Sequence, residues 1–582
     1  MRRITRRRAL GGAVALGAAG AGVAGLLVRG RDAKNAPPGP SPTASPALSA
    51  TAAPTGTPPP RYGGTARFAA PSGFAFDTFD AQRSGEPSVV EVLGRTHSRL
   101  VQWVDFSRPL LGGDLAERWE QPDESTLVLR LDPRARWQDR WPQAGRGVTA
   151  GDCVASLLRT LQLARDGGLP LAQRSWDYST IAGAVATGAN EITIRTARPD
   201  PFLLQTLAGR FAFVQAPEAV EAFSARWHEL VPESVVGSGP FVLRGFDEGG
   251  ALVFDAHGAM HSPRFLNGVK VSQPQSVAER FIAGELDEAL VRDRRDAARI
   301  RAGQQEESQE LARFEDSPVI STLNVGAPPW NNAQLRKALS AALNRTELAS
   351  RLFGGRAVAA APVAPALPAF SLAESEMVRF PGYRSRYEED AREARALWEA
   401  AGGPSLGPVT VDFPSIFDPL YSASSVVIAM LNEAIGTGQF RPAVDSYVAI
   451  SRKASEGRYG NGNAAFWFGW GPPIPGPDPA RFLIENYSSG SRAAGASGFR
   501  DDAVDRLLTR LGAEAGEAAR RDLVMETQRT LLAMGGGGTI DWVQQRSEVF
   551  RRNTLGGRPA PAPFWDQHLD AQAYFKGDGG TG

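Results

Sequence analysis

The chain has 582 residues, too many for one hydrophobic core, and with 42% hydrophobic and 22% charged residues it has the composition of a globular protein of two to four domains. Its net charge is +1, but residues 1–31 hold seven arginines and no acid, so the remainder carries −6, which excludes a nucleic-acid binder built on a basic surface. The single cysteine, Cys153, excludes an intramolecular disulfide, and its apolar helical surroundings suit a small buried hydrophobe.

In chain order, Arg6, Arg7 and Arg8 precede an uncharged run, Ala9–Val28, of Gly, Ala, Val and Leu. Residues 1–31 therefore read as a twin-arginine-like export signal or anchor, its glycines making it weak as a membrane span. No clean A-x-A site or lipid-attachment cysteine accompanies it. Residues 32–60 are rich in Pro, Ala, Ser and Thr and read as a spacer, suited to holding a domain off a membrane or cell wall. Thr65–Ala70 is then predicted as a strand, with Pro71-Ser72-Gly73 as the turn after it. Ser125–Leu131 alternates apolar residues as a half-buried strand does. Thr149 with Asp152 resembles a capping box opening a helix whose apolar face is Val154, Leu157, Leu158 and Leu161.

Phe241–Leu243 and Ala251–Phe254 are predicted as a hairpin turning at Asp247–Gly250. Val277–Leu290 reads as a helix that breaks at Gly284 into a strand. Leu335–Leu352 reads as one helix capped at Asn331 or Asn332, and Glu388–Ala401 as another closed by Gly402-Gly403. Asp501–Leu511 and Glu517–Met534 are amphipathic helices. The fold class is mixed α/β.

The most distinctive stretch is Ala465–Phe482, AFWFGWGPPIPGPDPARF. Phe466, Trp467, Phe468 and Trp470 suit a short buried strand, and the prolines from 472 to 479 end it. Asp478-Pro479 is a helix start. A strand ending beside a rigid turn leaves backbone and aromatic faces at an edge, a common place for a ligand, although a core strand with an ordinary turn would read the same way.

Other motifs carry little. Gly20–Gly25 spells GxGxxG with no strand before it, so it is no dinucleotide site. Gly403–Gly407 spells GxSxG, but a helix end precedes Ser405 and a strand follows, the reverse of a nucleophile elbow. His257 and His261 stand four apart in a Gly- and Pro-containing loop with no completing ligand. No GxxxxGK[ST] is present, so the chain itself is not expected to hydrolyse ATP. No enzyme, cofactor or metal is expected.

Several stretches in order resemble solute-binding proteins of family 5, the peptide and nickel receptors of ABC importers. LAERW at Leu115–Trp119, STLVLRLDPRARWQD and VTAGDCVASLLR look like the family's signature block, with Arg140 and Cys153 departing from the usual Gly and Val and Gln143–Gly147 lengthening a loop. VGSGPFVL, PPWNNAQLRKALSAALNR, ARALWEAAG, GWGPPIPGPDPARF and FRDDAVDRLL resemble its later blocks. The resemblance spans about 61–575 and implies a two-lobed, Venus-flytrap fold of the type II periplasmic-binding-protein kind. Lobe 1 would be 61–104 with 200–322 and 546–575, carrying an inserted domain at 105–199, and lobe 2 would be 323–545. Two strands crossing between the lobes would act as the hinge.

It further implies an exported receptor on the outer face of the cytoplasmic membrane, tethered at most by its N-terminal segment and acting as a monomer. That receptor would capture an oligopeptide or other small solute for an ABC permease and its ATPase. The candidate ligand-binding residues are Pro71, Ser72, Gly73, Phe74, Trp467, Phe468, Gly469, Trp470, Gly471 and Pro473. In the family pattern GWxxD an aspartate anchors the peptide's α-amino group; the matching position here is Pro473, and the loop is two residues longer before Asp478. A blocked peptide, a sugar or another uncharged solute stacked on Trp467 or Trp470 is the alternative ligand, and a ligand sensor on the same fold the alternative role. A secreted hydrolase would need Ser405 or a carboxylate pair to line a pocket. The reading expects the aromatic strand to wall a cleft between two hinged halves.

Overall fold

The computed structural model describes residues 60–70, 74, 76–84, 86–106, 109–166, 178–261, 264–273, 275–304, 306–315, 317–415, 424–460, 464–473, 476–561 and 567–576. The predicted export signal, nearly all of the spacer, the GxGxxG run and Pro71, Ser72 and Gly73 lie outside them. Among the described residues no helix is long and apolar enough to cross a membrane.

The architecture is organised by one long strand, Thr539–Arg552. Val319–Thr322 pairs with its first residues and Ser308–Phe314 with its last, both antiparallel and in nearly the same register, so 308–322 and 539–552 form a two-stranded ribbon. On the other edge of the long strand, Ala357–Ala359 pairs with its middle and Glu288–Val291 with its C-terminal half. The sheet thus fans out in two directions. One half continues through Glu288–Val291, Thr65–Ala69, Gly268–Ser272, Leu252–Ala256 and Phe241–Phe246; the other through Val319–Thr322, Ala465–Trp470, Val409–Pro414 and Phe440–Asp445. A separate antiparallel sheet, Ala116–Asp123, Thr126–Leu131, Glu191–Thr196 and Ile181–Gly188 in spatial order, packs against the helix Ala150–Arg165.

Glu315 follows the strand Ser308–Phe314 in the ribbon. It pairs with Arg292 at 2.9 Å, accepts from the Ser547 hydroxyl at 2.7 Å, and its backbone carbonyl accepts from Gln544 at 2.7 Å. Burial opposes ionisation there, yet Arg292, Arg313 and the Ser547 hydroxyl hold the carboxyl below the usual range.

Local signals account for most element ends. Thr149 and Asp152 form the capping box that opens Ala150–Arg165, and Cys153 on that helix is buried. The helix Val277–Ile282 ends at Gly284, φ +78°, and the strand Glu288–Val291 follows, as the sequence predicts. The single helix predicted over Leu335–Leu352 is two. Ala333–Ala342 is capped by Asn332, and Arg345–Phe353 is capped by Asn344, whose side chain accepts from the Glu347 N–H at 3.1 Å. The step from Leu343 to Leu348 breaks the four-residue spacing, and Asn344 supplies the second start.

The core holds four fully buried tryptophans, Trp137, Trp330, Trp398 and Trp542; burying each contributes roughly 2–3 kcal/mol or more. Among the described residues, no carboxylate lies at hydrogen-bond distance from the buried Arg345. Arg345 instead stacks on Tyr383 (3.8 Å) and Trp542 (4.9 Å) and donates to the carbonyls of Ser340, Gly382 and Asp541. This ties two helices to the long strand.

Candidate functional site

In open parallel sheets, ligands bind beyond the carboxyl ends of the strands where the strand order reverses. Both halves of this sheet contain such a point. Thr65–Ala69 is flanked by two parallel strands that come later in the chain, Gly268–Ser272 on one side and Glu288–Val291 on the other. Val409–Pro414 is flanked in the same way by Phe440–Asp445 and Ala465–Trp470, both parallel to it. The segments leaving these carboxyl ends are 70–76, 415–424, 446–447 and 471–479. Two of them carry the candidate residues read from the sequence.

At the first point Phe74 is half-buried, its ring 5.5 Å from Phe76 and 5.9 Å from Phe246, which is itself exposed. At the second, the strand Ala465–Trp470 lies between Val319–Thr322 and Val409–Pro414 and both its faces are covered. The expectation that its aromatic side chains wall a cleft is therefore corrected. Phe468 is fully buried between Phe413 (5.5 Å) and Trp542 (6.4 Å) and is a core residue. Trp467 is nine-tenths buried in a cluster with Ile450, Tyr459 and Ala465. Alternation on a strand sends these two side chains to opposite faces, and both are enclosed.

Only the end of the strand reaches the surface. Trp470 is half-buried with its ring 6.0 Å from Phe353, Gly471 donates to the Pro318 carbonyl at 2.8 Å, and Pro473 is exposed. Gly469 is buried under Trp467, and its missing side chain is what gives the indole room: a Cβ there would collide with Trp467 Nε1 and lie 2.7 Å from Cε2.

Beyond the prolines, the chain docks on distant elements. Gly476 packs beside Trp103. Asp478 caps the following helix through the Ala480 N–H (2.9 Å), accepts from Gln205 Nε2 (3.1 Å) and pairs with Arg520 (2.7 Å). Arg481 reaches Thr206 and Asp200. Asp478 is thus the helix start the sequence indicated, and it is committed to protein partners. Its contacts with Gln205 and Arg520 are invisible in sequence, because Gln205 lies 273 positions away and no local pattern marks Arg520 as its partner.

Sequence reasoning also misses Tyr447, which opens the helix Tyr447–Ser455 directly after the strand Phe440–Asp445. The signal was Ser446, whose hydroxyl accepts from the Ala449 N–H at 3.2 Å as an N-cap. Behind Tyr447, Lys453 bridges Asp412 (2.9 Å) and Asp445 (3.2 Å), and Tyr459 donates to Asp412 (2.8 Å). Burial disfavours the ammonium, but the two carboxylates outweigh it and hold Lys453 above its usual range.

The other motifs resolve structurally. Ser405 is exposed on a short 3-10 turn, Gly403–Leu406, between a helix and a strand. His257 and His261 are both buried: His257 Nδ1 lies 3.1 Å from the Gly239 carbonyl and His261 Nε2 lies 3.4 Å from Asp114. Among the described residues no group of three or more His, Cys, Asp or Glu side chains could hold a metal ion.

Comparison with known proteins places this geometry. Residues 111–492 match the family described as bacterial extracellular solute-binding proteins, family 5, middle. The probable di/tripeptide-binding protein 5 of Pseudomonas aeruginosa is 26% identical over 458 residues, covering 75% of this chain and 82% of that protein. Among solved structures, the periplasmic binding protein DppA of Helicobacter pylori in complex with the peptide STSA superposes with a TM-score of 0.69 at 17% identity, covering 89% of this chain and 99% of that one. The binding protein MoaA of A. tumefaciens R10 in complex with mannopinic acid superposes with a TM-score of 0.64 at 19% identity, covering 89% of this chain and all of that one (100%). These structures share the two-lobed fold, and this chain belongs to the bacterial extracellular solute-binding proteins of family 5.

Proposed function

We propose that this protein is an extracytoplasmic receptor of an ABC importer that captures a peptide between two lobes and delivers it to a membrane permease driven by a separate ATPase. The match of residues 111–492 to the family carries this reading. The relative in Pseudomonas aeruginosa, named as a di/tripeptide-binding protein, supports the ligand class. In this reading 61–104, 200–322 and 546–575 form one lobe with 105–199 inserted, and 323–545 form the other. The ribbon of 308–322 and 539–552 is the hinge. A ligand that touches both lobes only when they are together favours the closed state by the free energy of those contacts. The carboxyl-end segments carrying Phe74, Trp470, Gly471 and Pro473 are the proposed binding surface. Phe468, in the core, is not part of it.

Pro473 stands where the family's amine-anchoring aspartate is expected, and Asp478 is occupied by Arg520 and Gln205. A ligand ammonium would therefore lack its carboxylate, and the proposed peptide is one whose binding does not depend on a free N-terminus.

The test is titration of the purified full chain with free, N-acetylated and C-amidated tri- to penta-alanine and with mannopinic acid, followed by thermal shift and calorimetry. A ligand at 100 times its dissociation constant stabilises the folded protein by about 2.7 kcal/mol. Binding of the peptides, acetylated and free alike, supports the proposal. Binding of mannopinic acid with no response to any peptide overturns the peptide assignment.

A further inference from the structure

A groove of about 510 Å³ runs across the long strand Thr539–Arg552, within the roughly 300–1,000 Å³ range of small-molecule sites. Residues 310–312 form its wall on one edge of the strand and Gly355 and Arg356 on the other, with Arg546 and Glu548 between them. Both walls belong to margins of the sheet. Ser308–Phe314 and Ala357–Ala359 pair with the long strand alone, whereas the paths to Thr65–Ala69 and Val409–Pro414 leave it through Glu288–Val291 and Val319–Thr322. The groove therefore stands apart from both carboxyl-end points and shares no residue with the proposed peptide surface.

Its charges do not balance. Arg301 pairs with Glu310 (2.5 Å) and reaches Glu548 (3.4 Å), and Arg356 pairs with Glu548. The hydrogen bonds from Arg301 hold Glu310 below the usual carboxylate range, and the field of Arg546 adds to them. Two arginines thus neutralise the two carboxylates. Arg546 is the cation left over: it is exposed, and among the described residues no carboxylate lies at ion-pair distance from it.

The register sets Arg546 against a second cation. Ala357 lies opposite Gln545, and the Arg546 N–H donates to the Arg356 carbonyl at 2.8 Å, so Arg356 and Arg546 face each other across the pair. Like charges directly opposite on neighbouring strands repel unless a counter-ion joins them. Arg356 also keeps a buried Nε–H with no partner, and no atom lies within 4 Å of where a Cβ on Gly355 would stand, which leaves space beside it.

We propose that this groove binds a small oxyanion with at least two acidic oxygens, a phosphate or a dicarboxylate, held between the guanidinium groups of Arg546 and Arg356. Guanidinium forks grip such oxygens in pairs, and the bound charge would relieve the repulsion between the two arginines.

The experiment titrates the purified full chain with inorganic phosphate and, separately, with malonate, followed by calorimetry. Sodium chloride holds the ionic strength constant, so that screening is the same throughout. Arg546→Gln removes the unpaired charge. Arg510→Gln, at an exposed position on the helix Asp502–Ala513, makes the same change in net charge elsewhere. The expected result is that wild type and Arg510→Gln bind at least one of the two anions alike, and that Arg546→Gln binds it about tenfold or more weakly, the loss of a charge-assisted hydrogen bond. A response to one anion alone supports the site and assigns it that chemistry. Heat from neither anion, or equal affinity in wild type and Arg546→Gln, overturns the proposal. Either result leaves the receptor reading standing, because no peptide enters the titration.

Discussion

The Asp478 carboxylate lies 2.7 Å from Arg520 Nε, with both side chains at least nine-tenths buried. The pair joins the loop after the aromatic strand to the helix Glu517–Ala533, and Gln205 adds a third partner from the helix Leu203–Leu207. Breaking one side of a buried pair leaves an uncompensated charge and costs about 3–5 kcal/mol, whereas removing both charges is far cheaper. Asp478→Asn keeps the cap on Ala480 through its one oxygen, but it loses the charge and turns an NH2 donor toward Gln205 and Arg520. It is expected to destabilise by about 3 kcal/mol in urea melts, and adding Arg520→Met should recover most of that loss. A single variant within about 0.5 kcal/mol of wild type, the usual spread of a neutral substitution, would remove the pair as a structural tie.

Asp541 makes a contribution to stability that falls as pH rises through the acid range. Burial pushes its carboxyl up to about 6, against the pull of nearby Arg345. The unfolded chain releases this proton near pH 4, while the folded chain holds it to about 6. The folded state thus loses stability from this group between those two values and no more above them. A shift of this size corresponds to about 3 kcal/mol. Asp541→Asn is expected to match wild type near pH 4 and to be more stable by 2–3 kcal/mol at pH 7.5, an order-of-magnitude figure. Denaturant unfolding across the pH series decides it, and equal differences at both pH values would count against the buried carboxyl.

The glycine run 535–538 offers no element signal, yet it is a tight buried turn. Gly535, Gly536 and Gly538 have φ of +79°, +91° and +104°, and a Cβ on Gly536 would collide with the Thr539 carbonyl. Gly250 has φ +75° with nothing near its missing side chain. Gly250→Ala should cost about 1 kcal/mol and Gly536→Ala at least 2 kcal/mol, since only the second adds a collision to the backbone strain. Thermal unfolding of the two variants separates conformation from contact, and equal losses would show that the collision relaxes away.

What was legible in the sequence follows the range of the forces involved. Caps and helix stops act within three or four residues, so Thr149 with Asp152, Asn332, Gly284 and Asp478 can all be read locally. The strand Ala465–Trp470 was legible from its aromatics, but which side chains face a ligand was not. Strand alternation gives two faces and no indication of what covers each; here Trp467 packs with Ile450 and Tyr459 on one, and Phe468 with Phe413 and Trp542 on the other, so Phe468 belongs to the core. The partners of Asp478 and the ribbon along Thr539–Arg552 depend on pairings across hundreds of residues, for which the sequence carries no local signal. Asn344 was readable and is the instructive miss, because leucines continuing on both sides of it at 343 and 348 mask a cap between two helices.

Pro473 tests the ligand chemistry directly. It is exposed at the end of the aromatic strand, three residues after Trp470, where the family pattern places an acid that pairs with a peptide's ammonium group. If that absence sets specificity, wild type should bind trialanine and N-acetyl-trialanine with similar affinity. Pro473→Asp should then tighten trialanine about tenfold, equivalent to about 1.4 kcal/mol, and leave the acetylated peptide unchanged. Pro473→Asn separates charge from backbone, because it frees the same φ and restores the same N–H without the carboxylate. A gain shared by Asp and Asn, or by both peptides, would assign the effect to loop conformation and not to charge. Calorimetry in low and high salt adds a second criterion. A gain from the ammonium–carboxylate pair shrinks as ionic strength rises and the Debye length falls from about 10 Å at 0.1 M to about 3 Å at 1 M, while a backbone effect does not.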